Sequence, residues 1–133
     1  MTLRACLLAY LATAVSFIAL DAVWLTVMST RLYKPALGAM MLETPDWTAA
    51  ALFYALYFVG LVAFAVRPAV AAGGGWAAAT GWGALFGLVA YATYDLTNQA
   101  TLRGWPWTLT LVDLAWGTFV SAVAATVGWR AAA

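Results

Sequence analysis

The sequence predicts an all-α integral membrane protein: a four-transmembrane-helix bundle, up-down-up-down, forming a single domain over residues 1–133. Three observations predict it. Of the 133 residues, 66% are hydrophobic and 8% charged, where an average soluble domain carries roughly a quarter charged. So few polar side chains cannot clothe a water-facing surface. Charges and prolines divide the chain into four apolar runs, and crossing about 30 Å of hydrocarbon takes roughly 20 helical residues. Finally, Trp47, Trp76, Trp105, Trp107 and Trp129 gather at the ends of those runs, where interfacial indoles anchor.

The first helix is expected over residues 5–30, apolar apart from Asp21. Its start imitates a cleavable signal peptide, with Arg4, an apolar run and Ala12-Thr13-Ala14. The run continues to Leu20, however, and the segment is read as a retained helix with Cys6 a buried apolar thiol. The loop from Arg31 to Asp46 is long enough for local structure, and Leu37 to Leu42 is expected to form a short interfacial helix. The second helix, residues 47–66, carries no charge. Gly73-Gly74-Gly75 breaks the chain before the third, expected over residues 76–99. The fourth, residues 107–129, holds only Asp113. Pro35, Pro45, Pro68 and Pro106 are expected between the helices, where a missing N–H costs least.

Composition also excludes function classes. A net charge of +1 without a basic tract gives a nucleic acid nothing to hold. Histidine is absent, which removes the commonest metal and haem ligand and the commonest general base. No cofactor and no metal site is expected, and the serines have no histidine to activate them. Enzyme chemistry is disfavoured. The bilayer itself is the first partner. Lys and Arg split three against three: Arg4, Arg67 and Arg130 on the side of the termini, Arg31, Lys34 and Arg103 on the other. The tie leaves orientation open. A cytoplasmic placement of both termini is preferred because their side holds no acidic residue. A chain without charge bias could also insert both ways and pair with itself, so a homo-oligomer and a partner in a larger membrane complex both stand as expectations.

Three aspartates lie inside the spans. Asp21 precedes Arg31 by about 15 Å of helix, Asp95 precedes Arg103 by about 12 Å, and Asp113 follows Trp107 by about 9 Å. Because helix direction alternates, all three fall in the half of the bilayer opposite the termini. On the third helix Tyr91, Tyr94, Asp95 and Asn98 make one polar stripe, and Tyr54 and Tyr57 stand at similar depth on the second. Asp21 with Trp24, and Asp113 with Trp116, repeat one spacing on the first and fourth helices. A carboxylate near mid-bilayer costs about 3 kcal/mol to insert, so it turns toward protein or water. Carboxylates sharing such a site could hold protons or a cation, with Tyr hydroxyls and the Asn98 amide ordering it. The competing expectation is structural, with the aspartates paired to Arg31, Lys34 or Arg103 as glue. Gly117, Ser121 and Ala125 form a small-residue ridge suited to close helix packing. Gly81, Gly83 and Gly87 are likewise expected to be packing contacts.

Three motifs carry a resemblance: Leu20-Asp21-Ala22-Val23-Trp24-Leu25, Tyr94-Asp95-Leu96-Thr97-Asn98 and Val112-Asp113-Leu114-Ala115-Trp116-Gly117. In register over nearly the whole chain, they resemble a family of small bacterial membrane proteins described only as a domain of unknown function. The resemblance implies a four-helix protein of the bacterial inner membrane and supplies no activity. The residues lead first to a transporter or an ion- or proton-binding protein using the clustered aspartates. The alternatives are a non-catalytic subunit or assembly factor of a larger complex, and a lipid-modifying enzyme.

Overall fold

A computed structural model describes all of residues 1–133. The chain is helical throughout, in four long rods: α1 (Leu3–Met28), α2 (Trp47–Leu61), α3 (Gly75–Thr101) and α4 (Trp107–Ala132). Local chemistry starts two of them. The Thr2 hydroxyl accepts from the Ala5 N–H at 3.1 Å, and Asp46 Oδ1 accepts from the Ala49 N–H at 3.1 Å, each satisfying a donor that the first helical turn leaves free. Gly73 and Gly75, at φ 62° and 69°, turn the chain between α2 and α3, and Gly104, at φ 71°, turns it into α4. These left-handed angles suit a residue without Cβ.

Two rods run further than expected. A π turn, Ser29–Tyr33, joins α1 to a helical turn Lys34–Leu37 and a 3-10 turn Gly38–Met40. In the same way a π turn, Val62–Val66, joins α2 to Arg67–Ala71. Pro35 and Pro68 therefore do not lie between helices. Each stands in the first turn of a helical segment that follows a π turn. The wider π turn accommodates a residue that has no N–H to give and whose ring would clash with the carbonyl one turn back. The helical turn foreseen at Leu37 to Leu42 lies earlier, at Lys34–Met40. At the other ends, α3 starts one residue before the expected 76 and ends at Thr101, and α4 continues to Ala132.

The bundle is antiparallel between sequence neighbours, as paired residues show. Thr80 bonds to Thr126 at the start of α3 and Gln99 to Thr110 near its end. Thr13 bonds to the Ala124 carbonyl and Asp21 to Trp116. Tyr10 reaches the Ala55 carbonyl, and the Tyr57 ring packs against Phe86 at a tilt of 59°. The inward face of α1 is Ala9, Thr13, Phe17 and Asp21, at steps of four, while Leu7, Leu11, Val15 and Ile18 are exposed. Apolar side chains cover the outside, and the few polar ones in the span, Thr13 and Asp21, turn inward with Ala9 and Phe17, as a lipid solvent requires. The segments Leu3–Met40, Trp47–Ala71 and Trp107–Ala132 are long and apolar enough to cross a membrane. Helix α3 is more polar, but it lies along α4 for most of its length and so shares its depth.

The α3–α4 seam is the closest in the fold. A Cβ added to Gly83 would stand 2.5 Å from the Ala125 Cβ, and one on Gly87 would stand 2.5 Å from Ser121 Oγ and nearer still to the Gly117 carbonyl. Gly117 itself lies under the ring of Tyr91. Gly117, Ser121 and Ala125 are all buried. Gly81 departs from the expectation: it is exposed and has no neighbour within 4 Å of its would-be Cβ, because it turns to the lipid side of α3.

Candidate functional site

In the half of the bundle away from the termini, the four helices surround a cavity of about 530 Å³. Helix α1 contributes Asp21 and Leu25, and the π turn after it contributes Tyr33. Helix α2 gives Phe53, Tyr54 and Tyr57, α3 gives Ala90, Tyr91 and Tyr94, and α4 gives Asp113 and Trp116. The walls are thus largely aromatic, with two carboxylates set among them.

Each carboxylate is held by neutral donors. The Tyr54 hydroxyl donates to Asp21 Oδ2, and the Trp116 indole N–H donates to Asp21 Oδ1 at 3.1 Å. The Tyr33 hydroxyl donates to Asp113 Oδ1 at 2.6 Å and accepts from the Trp24 indole N–H at 2.9 Å. Trp24 and Trp116 stack with centroids 4.4 Å apart and planes within 5°. One chain of contacts therefore links the two aspartates, running Tyr54, Asp21, Trp116, Trp24, Tyr33, Asp113. The repeated Asp-x-x-Trp spacing underlies it, because antiparallel α1 and α4 bring the two indoles face to face. Tyr57, one turn deeper, lines the cavity floor and shares a hydrogen bond of 2.7 Å with Ser121 Oγ, which places this ridge residue behind the floor.

Asp95 differs. It is 1% exposed, and neither carboxylate oxygen has a hydrogen-bond partner. The charged group it faces is Asp113, so it sits behind the cavity wall. A buried polar group left unpaired costs about 1–3 kcal/mol, and more when charged, so this residue is an expense that the packing of α3 on α4 must offset. None of the three aspartates has Arg or Lys as a hydrogen-bond partner. The ion pairs with Arg31, Lys34 or Arg103 that would have served as glue are absent from these contacts.

Among the sequence candidates, Asp21, Asp113, Tyr54, Tyr57, Tyr91, Tyr94 and Trp116 line the cavity. Trp24 supports it through Tyr33 and the indole stack. Asn98 does not reach it. Seven residues beyond Tyr91 carry Asn98 about 10 Å along the axis, to the end of α3, where its carbonyl accepts from the Leu102 N–H. Beside it Gln99 is the residue that builds structure. Its amide donates to the Trp105 carbonyl at 2.7 Å and accepts from Thr110, whose hydroxyl in turn accepts from the Trp105 indole N–H at 3.0 Å. Tyr33 was not foreseen. It follows Arg31 and reads as loop, and only the continued helix after the π turn returns it to Asp113. Phe53 and Leu25 were also unforeseen, since nothing marks one apolar residue among many as cavity-facing.

Fold and site together define a helical membrane protein with an intramembrane acidic and aromatic cavity. The family model described as "Predicted membrane protein (DUF2177)" matches residues 6–130, and the chain belongs to this family. No curated protein and no solved structure matches the chain.

Proposed function

We propose that this protein binds protons or a cation in the cavity and works as a small transporter, with Asp21 and Asp113 carrying the charge. One observation carries the reading: two carboxylates from different helices face one intramembrane cavity and have only tyrosine and tryptophan donors as partners. A site built for stability alone would neutralise them with a cation from the chain, since an uncompensated buried charge is costly. Asp95 supports the same reading, because a proton held between it and Asp113 would supply the donor that its buried oxygens lack. The proposal sets the bundle in the bacterial inner membrane with both termini cytoplasmic.

The test is proton flux in reconstituted liposomes carrying an internal pH dye and a potassium diffusion potential. Wild type should acidify or alkalinise the lumen faster than empty liposomes. Asp21→Asn and Asp113→Asn should abolish the difference while melting within a few degrees of wild type, because the amide keeps the shape and the indole contact. Flux equal to that of empty liposomes, or unchanged in both variants, would refute the reading.

A further inference from the structure

We propose that the cavity takes a lipophilic organic cation, admitted sideways from the bilayer through a gap between α2 and α3. This rests on the reading above and names its substrate class. A divalent metal ion does not suit the ligands present. Calcium or magnesium needs about six oxygen ligands at roughly 2.0–2.6 Å, and no three of the acidic side chains converge as a metal-binding group. The space is also that of a small organic molecule: about 530 Å³, within the range of roughly 300–1,000 Å³ usual for such ligands. Its walls include the rings of Tyr54, Tyr57, Tyr91 and Trp116, and aromatic rings attract a desolvated cation. Asp21 and Asp113 supply the opposite charge, each with acceptor positions beyond those its present donors use. Aromatic walls with carboxylates and no basic residue favour an organic cation over an anion or a divalent metal ion.

The route follows from how α2 leans. Close backbone approach between the second rod and α3 is concentrated at the π turn Val62–Val66, whereas the Trp47–Leu61 stretch hardly approaches α3 at all. The two helices therefore part toward the cavity end. Phe53 and Tyr94 stand on either side of the gap, 47% and 56% exposed. The Phe53 ring packs on Tyr54 and Tyr57 of its own helix and the Tyr94 ring on Trp105, so these two rings do not meet across it; the α2–α3 ring contact at the cavity is the deeper edge-on pair Tyr57 and Tyr91. The opening lies at the depth of the spans and faces hydrocarbon, which suits a solute already dissolved in the bilayer.

The experiment is calorimetric titration of the full chain in detergent with tetraphenylphosphonium, and with tetraphenylborate as the same shape of opposite charge. Saturable binding of the phosphonium alone is expected, weakened about tenfold or more by Asp21→Asn. Ala90→Trp, which fills the cavity and alters no charge, should also remove it. Equal binding of both ions, or phosphonium binding indifferent to both variants, would overturn the proposal. Absence of phosphonium binding alongside flux that still depends on Asp21 would overturn the substrate class and leave the transport reading standing; absence of both would end both. For the route, Phe53→Cys with Tyr94→Cys in a Cys6→Ala background, bridged by a bifunctional maleimide in liposomes, should slow loading. An unchanged rate would refute the lateral gap.

Discussion

Gly87 and Gly81 stand on one helix, less than two turns apart, and give a matched pair of substitutions. Both Gly→Ala changes gain the same helix propensity, up to about 1 kcal/mol in water, so that contribution cancels between the variants. The difference left is steric. The Cβ of Gly87→Ala would lie 2.5 Å from Ser121 Oγ, 2.6 Å from Ser121 Cβ and nearer still to the Gly117 backbone carbonyl. A carbonyl in mid-helix cannot swing aside as a long side chain can, so α3 and α4 must separate. Overpacking of this kind costs about 1–3 kcal/mol, and here the seam also carries the Tyr57–Ser121 bond of the cavity floor. Gly81→Ala meets nothing within 4 Å. In detergent, Gly87→Ala should melt below wild type and Gly81→Ala at or above it, by circular dichroism or intrinsic fluorescence. Equal melting of the two variants would show that the α3–α4 seam is looser than drawn, and the cavity floor with it.

Two further outcomes follow from the contacts at the cavity end. Thr110→Val keeps the shape but removes the donor to Gln99 Oε1 and the acceptor of the Trp105 indole; it should cost about 1–3 kcal/mol, seen as a lower melting temperature with a shifted tryptophan emission. Single cysteines at Gly38, Gly74 and Gly104 in the Cys6→Ala background should label so that positions 38 and 104 share one side of the membrane and 74 lies on the other. Labelling of 38 and 74 from the same side would refute the up-down-up-down path.

Membrane residence, helical class and the number of rods are properties of composition and run length, and each was legible in the sequence. Apolar content decides whether a chain can face water, and the length of a run decides whether it can span, without reference to any neighbour. That Asp21, Asp95 and Asp113 share one half of the bundle was legible for the same reason, because axial rise converts sequence number into depth. The sequence misled where a local sign was overridden. Pro35 and Pro68 are breakers in an ordinary helix, yet preceding π turns let both rods continue past them.

What only the tertiary structure decided is azimuth: which way each side chain turns once the helices are docked. Asp95 and Asp113 fall in the same half of the bundle by count, yet Asp113 faces the cavity while Asp95 is sealed behind it without a donor. Asn98 shares the stripe of Tyr91 but stands beyond the cavity, and Tyr33, which reads as loop, donates to Asp113. Axial position is written in the chain by a fixed rise per residue. The rotation and lean of a helix are set by packing against its neighbours, here by Gly83, Gly87 and Gly117 along one seam and by the π turn at Val62–Val66. The sequence alone therefore determined the depth of the charges, and helix packing determined that two of them share a cavity.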